Sequence, residues 1–171
     1  MESLTVAALI TLGQACAPSI ESATLVRQVT HESGRYVYRI GINDRSWRLP
    51  RQPRSLAAAV ATARRLDARG FSFDAGLGQL NNHTVRRMGL SWEQVFTPCD
   101  NLRAAERHLL QDYRRALRQY GNHDRAVLGA FSAYNTGSLT RGLSNGYVAK
   151  VRATRIGTTA ANPAQFRASK G

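Results

Sequence analysis

The stretch THESGRY, residues 30–36, holds a carboxylate, Glu32, whose surroundings decide what it can do. Pro18 and Ser19 read as a helix start, Glu21 falls in the first turn and Gly34 marks the end, so Glu32 occupies the last turn. Leu25, Val26 and Val29 form the apolar stripe of that helix. Glu32 follows Leu25 by seven residues and Val29 by three, which points its side chain along the same face. Two effects then act on the carboxyl. Apolar surroundings remove water from the charged form, and the negative end of the helix dipole lies at the last turn; both raise its pKa. A carboxyl that keeps its proton near neutral pH is a general acid. Pairing with Arg27 or Arg35 would instead give an ordinary ion pair at a helix end, and position alone leaves both readings open.

Two further stretches place polar residues among glycine or apolar neighbours: GLGQLN at 76–81 and SAYNTG at 132–137. Gly76 and Gly78 let a backbone approach a ligand closely, and Gln79 and Asn81 then offer amide donors and acceptors to hydroxyls or acetamides. Leu128, Phe131 and Tyr134 face inward on one helix, so the Tyr134 phenol sits deep with a polar tip, followed by Asn135. Taken singly each is ordinary: a turn, surface amides, a core tyrosine.

The elements that must position these residues are mostly helical. Ser55 starts the alanine-rich helix SLAAAVATARRLDARG, which Gly70 stops. Asp100 caps a long helix whose stripe is Leu102, Ala105, Leu109, Tyr113, Ala116 and Tyr120; Asp124 caps the next, and Asn145 caps GYVAKVRATRI. NHTVRRMGL and SWEQVF are short helical pieces. The exception is a non-helical patch between residues 35 and 82, with a short strand at YVYRIGI and a strand or turn at FSFDAGLGQLNNH. The expected architecture is mainly α: one two-lobed helical domain over residues 1–156, with a small irregular or β patch, a cleft between the lobes, and a mobile tail at 157–171.

Composition narrows the partners without choosing one. Lys and Arg number 24 against 11 Asp and Glu, a formal charge of +13, and 22 of the 24 are arginines, which attracts polyanions such as nucleic acid, acidic lipid or an anionic wall polymer. The paired arginines at 64–65, 86–87 and 114–115 lack the interleaved aromatics of a single-strand platform, so no specific nucleic-acid partner is expected. Cys16 and Cys99 form neither a CxxC motif nor a zinc quartet, which leaves one long-range disulfide or two buried thiols. The segment LTVAALITLG is too short to span a bilayer and has no basic flank, and it reads as the first helix of a mature domain whose export signal was replaced or removed.

The order of the three motifs, Glu-Ser at a helix end, Gly-Leu-Gly-Gln-x-Asn and Ala-Tyr-Asn-x-Gly, resembles the lytic transglycosylases of the goose-type lysozyme superfamily. FSFDAGLGQLN, GLSWEQVFTPCDNLRAA and NGYVAKV resemble the subgroup that accompanies type IV secretion and conjugation systems, so the likeness runs from Cys16 to about Val151. It implies that Glu32 is the single catalytic acid and that Ser33 helps orient it. It also implies that Gln79, Asn81, Tyr134 and Asn135 line the glycan cleft, that Tyr147 is a further aromatic of the site, and that Cys16 and Cys99 are a disulfide pair. The substrate implied is peptidoglycan, in the periplasm or cell envelope, with secretion or conjugation components as partners and neither metal nor cofactor required.

Two departures from that pattern stand out. His31 precedes the acid, and Arg35-Tyr36-Val37-Tyr38 follow it where relatives carry asparagine-proline and a small residue. Second carboxylates near the motifs are few: Asp44 and Asp74, of which Asp74 reads as a brace for the glycine turn. Beside the transglycosylase stand three rival readings: a muramidase with water as acceptor, a glycan-binding scaffold without catalysis, and a nucleic-acid binder.

Overall fold

The structure is a computed structural model that describes residues 3–44 and 46–156; the tail expected at 157–171 lies outside the described residues. Among these, nine helices and three short strands follow one another as α1 (Val6–Cys16), α2 (Ser22–Ser33), β1 (Ile40–Ile42), α3 (Leu56–Ala68), β2 (Phe73–Ala75), β3 (Leu80–Asn81), α4 (Asn82–Arg87), α5 (Trp92–Val95), α6 (Pro98–Tyr120), α7 (His123–Thr136), α8 (Arg141–Ser144) and α9 (Tyr147–Ala153). The mainly α architecture expected from the sequence is what forms, and no described helix is long and apolar enough to cross a membrane.

The helix starts are where the sequence reading shifts. Helix α2 is capped by the Glu21 carboxylate, which accepts from the backbone N–H groups of Ala23 and Thr24, so it begins three residues after Ser19. A carboxylate there also meets the positive end of the helix dipole. Helix α6 starts at Pro98 rather than after Asp100, because proline at the first helical position loses no hydrogen bond; Asp100 lies inside the first turn. The cap of α7 is Asn122, not Asp124. Asn145 does receive the N–H of Tyr147 at 2.9 Å, from one residue before the cap position.

The strands make one antiparallel sheet in the order β1-β2-β3, with Ile40 opposite Ala75 and Asp74 opposite Asn81. The two larger hydrophobic cores both pack on α6, beside a smaller one of Ala116, Ala126, Ala133 and Leu139. One gathers Leu9, Leu25, Val26, Val29, Phe131 and Val148 around Leu102 and Leu109 of α6. The other gathers Ile40, Val60, Leu66, Phe73, Leu80 and Phe96 around Ala104 and Ala105 of the same helix. These are the two lobes, and α6 is their common wall. The turn between β2 and β3 reaches across both, with Leu77 in the first core and Ala75 and Leu80 in the second.

A disulfide joins Cys16 at the end of α1 to Cys99 at the start of α6, with 5.3 Å between Cα atoms and a sequence separation of 83. It fixes the first lobe to the shared helix. Closing so long a loop removes many conformations from the unfolded chain. Replacing both cysteines by serine is expected to lower the unfolding free energy by roughly 2–4 kcal/mol in urea titrations. An unchanged midpoint would show that the cross-link contributes nothing to stability.

Candidate active site

Glu32 lies in the last turn of α2, where Gly34 ends the helix in the left-handed region. Its carboxylate accepts a hydrogen bond from the Tyr147 phenol at the start of α9, 115 residues away in sequence. Burial pushes the Glu32 pKa up from 4.5 to about 7; the Tyr147 hydrogen bond opposes the shift and the nearby Asp74 carboxylate adds to it. The ion-pair alternative is not what forms. Arg27 reaches the carbonyls of Arg152 and Thr154, Arg35 reaches Leu4 and Thr30, and no ion pair among the described residues includes Glu32.

Behind the acid, the His31 ring stands edge-on to Tyr147 at 5.3 Å, with its pKa lowered by burial and by Lys150. Ser33 is buried and donates to the Val29 carbonyl at 3.0 Å, so its hydroxyl holds the helix end that carries Glu32. Burial and the charge of Glu32 hold Tyr147 in its protonated form, well above the usual phenol range. The acid therefore has a donor at its back.

Facing it is the turn after β2. Gly76 adopts φ +79°, and a Cβ there would sit 2.2 Å from Asn101 Nδ2 and 2.5 Å from the Val95 carbonyl; one at Gly78 would sit 2.8 Å from Ala105 Cβ. Only glycine allows this backbone to lie on α6. The buried Asn101 then accepts from the Gly78 N–H at 2.7 Å and donates to the carbonyls of Val95 and Ala75. The Tyr134 phenol donates to the Gly78 carbonyl at 2.6 Å. Gln79, itself left-handed at φ 49°, gives its amide N–H groups to the carbonyls of Gly76 and Arg39. Asn101 escaped the sequence reading because a lone asparagine inside a helix gives no periodic signal.

On the adjoining hairpin, Asn81 donates to Asp74 across the β2–β3 pair at 2.8 Å and caps α4 through the His83 N–H. Asp74 thus braces the hairpin, as expected, while burial raises its pKa against the hydrogen bonds of Asn81 and Asn43. Asp44 is exposed and bonded to Ser46, away from these groups.

Glu32, Asp74, Gln79, Asn81, Tyr134 and Asn135 share the wall of one cavity of about 690 Å³. Ser33 and Tyr147 are not in that wall; they support Glu32 from behind. The rest of the wall was missed from sequence. Its largest part is a polar face of α6, with His108, Gln111, Asp112, Arg115 and Arg118, joined by Arg87 of α4. The spacing of 108, 112, 115 and 118 is a legible helical stripe, but polar helix faces are ordinarily solvated, so spacing alone does not mark this one as part of a site. Among the described residues no group of three or more His, Cys, Asp or Glu could hold a metal ion.

A carboxyl that is harder to ionise folded than unfolded has a sign that can be tested. Between pH 4.5 and about 7 the folded chain keeps a proton that the unfolded chain releases, so this stability is full below 4.5 and is lost as pH rises through about 7. At pH 8 Glu32→Gln is expected to be more stable than the wild type, by up to roughly 3 kcal/mol, with the difference shrinking towards pH 4. Equal pH slopes in urea titrations of the two proteins would show that Glu32 titrates normally.

Comparison with known proteins supplies the family. A family model described as Transglycosylase SLT domain matches residues 51–153, which takes in Gln79, Asn81, Tyr134, Asn135 and Tyr147 and starts after Glu32. The type IV secretion system protein virB1 of Brucella abortus is 38% identical over 156 residues, covering 88% of this chain and 65% of that protein. Protein virB1 of Rhizobium radiobacter is 36% identical over 136 residues, covering 80% of this chain and 56% of its own length. The chain thus spans less than two thirds of the length of these relatives. No solved structure gives a significant match. With more than half of its length inside the match, the chain belongs to the transglycosylase SLT domain family.

Proposed function

We propose that this chain is a peptidoglycan lytic transglycosylase that uses Glu32 as its only acid and base. The observation that carries the reading is a carboxyl whose pKa is raised to about 7, on the wall of an open cavity and backed by a phenol donor. Protonated Glu32 gives its proton to the glycosidic oxygen between N-acetylmuramic acid and N-acetylglucosamine as the C1–O bond breaks. The acetamide of the substrate stabilises the cation-like centre. The Glu32 carboxylate then removes the proton of the C6 hydroxyl, whose oxygen closes on C1 to give the 1,6-anhydro sugar. The proton returns to Glu32, and no water is consumed.

The supporting residues divide the work. Tyr147 holds the carboxylate in place and offsets part of its burial, so that one group serves as acid and then as base. Tyr134 and Gln79 keep the glycine turn seated on the cleft wall, and the exposed Asn135 presents an amide to the glycan. The virB1 relatives support a role in opening the wall locally for a type IV secretion or conjugation machine. The Cys16–Cys99 disulfide supports an oxidising compartment, the periplasm.

Hydrolysis is the second reading, favoured by Asp74, a carboxylate on the same cavity wall that a water-activating mechanism would need. Mass spectrometry of soluble products from purified peptidoglycan separates the two. Anhydro-ended fragments are expected from the wild type, and a loss of about 100-fold or more in Glu32→Gln with the fold intact. Reducing ends, one water heavier, would assign a muramidase; retained activity in Glu32→Gln would remove Glu32 from the mechanism. Because the first step needs the protonated acid, kcat/KM is also expected to fall as pH rises above about 7. A rate still rising at pH 9 would contradict that role.

A further inference from the structure

The mechanism leaves part of the cavity wall unused. Asp112 on α6 is only 8% exposed; its Oδ1 lies 3.3 Å from the Arg115 guanidinium, while Oδ2 has no hydrogen-bond partner. One turn earlier, His108 Nδ1 is 3.9 Å from that oxygen, beyond hydrogen-bond reach, and is likewise buried without a partner. Buried polar atoms are seldom left without a partner, so these point to a group that arrives from the cavity. Arg87, Arg115 and Arg118 line the same cavity, and all three are exposed.

The charges in this cavity are sorted. Asp74 acts on Glu32, whereas Arg87 and Arg115 act on His108 and Asp112. Tyr134 stands between the groups: it feels Glu32, Asp74 and Asp112, and its ring lies 5.0 Å from His108. Arg115 already faces Asp112, but a neutral sugar chain gives the Arg87 and Arg118 guanidinium groups nothing to neutralise. The peptide stems borne by a peptidoglycan strand do: they carry free carboxylates for guanidinium forks, and amide N–H or ammonium groups for a buried carboxylate oxygen. A bare phosphodiester track would bring only negative charge against Asp112.

We propose that Arg87, Asp112, Arg115 and Arg118 form a subsite for the peptide stem of the glycan strand, the arginines taking a stem carboxylate and Asp112 Oδ2 a stem N–H donor. The assignment rests on peptidoglycan being the substrate, and it makes the enzyme a reader of stem-bearing rather than stripped glycan.

The test measures binding, so it does not depend on turnover. Soluble glycan strands with intact stems, and the same strands after an amidase has removed the stems and the lactyl carboxylates so exposed have been capped as methylamides, are titrated calorimetrically into the Glu32→Gln protein. Stripping is expected to weaken binding by about tenfold or more at low salt. In the background of Glu32→Gln, adding Arg87→Gln and Arg118→Gln, both at exposed positions, is expected to shrink that difference to about twofold or less, with an unchanged melting temperature. Equal affinity for the two strands in the parent overturns the proposal. So does a difference that survives loss of the arginines, or duplex DNA displacing the stripped strand as readily as the stem-bearing one. Absence of anhydro products from the wild type would count against the transglycosylase reading alone, since these affinities do not require cleavage.

Discussion

Between residues 76 and 78 the backbone lies against α6 at a separation that no side chain would permit, and the site depends on that approach. A Cβ at either glycine would enter Asn101, the Val95 carbonyl or Ala105. With hydrogen in those places, Asn101 and Tyr134 fasten the turn from two helices. The turn then fixes β2 and β3, and through them Asp74, Gln79 and Asn81. It also bridges the two cores, because Leu77 enters one and Leu80 the other. The cleft exists because the lobes share α6 and are joined across it by a turn narrow enough to seat on its surface.

Glu32 illustrates a balance of opposed terms. Burial and Asp74 favour the protonated acid, and Tyr147 favours the carboxylate. The outcome near neutrality suits a group that must first give and then take a proton. Among the described residues the charge of +13 does not reach the acid as ion pairs: the neighbouring Arg27 and Arg35 bond to backbone carbonyls. An arginine on Glu32 would have held the carboxyl low and ruled out the acid role proposed for it.

Much of the scaffold was legible in the residues. Apolar spacing located α2, α3, α6 and α7, and glycines marked where α2, α3, α6 and α7 stop. Starts were harder, because Glu21, Pro98 and Asn122 compete with nearby residues of similar capping ability, and only the packed structure selects among them. Helix α8 was not anticipated; four residues hold no period. Gln79 and Asn81 were expected to face sugar, and they do line the cavity, but most of their polar atoms hold the turn and hairpin together. Type and position were readable; the partner of each polar atom was not.

By itself the sequence determined that Glu32 sits at the apolar end of a helix, that the 76–78 turn needs glycine, and that the three motifs follow the order of a known family. These are local properties, set by periodicity, by the absence of a Cβ and by residue type. Only tertiary structure decided that the donor to Glu32 is Tyr147, that Asn101 fastens the glycine turn, and that the polar face of α6 closes the cavity with an unpaired carboxylate oxygen. Those facts depend on which groups meet after the chain has folded back over 115, 23 and many more residues, and neither helical period nor motif spacing encodes a distance through space.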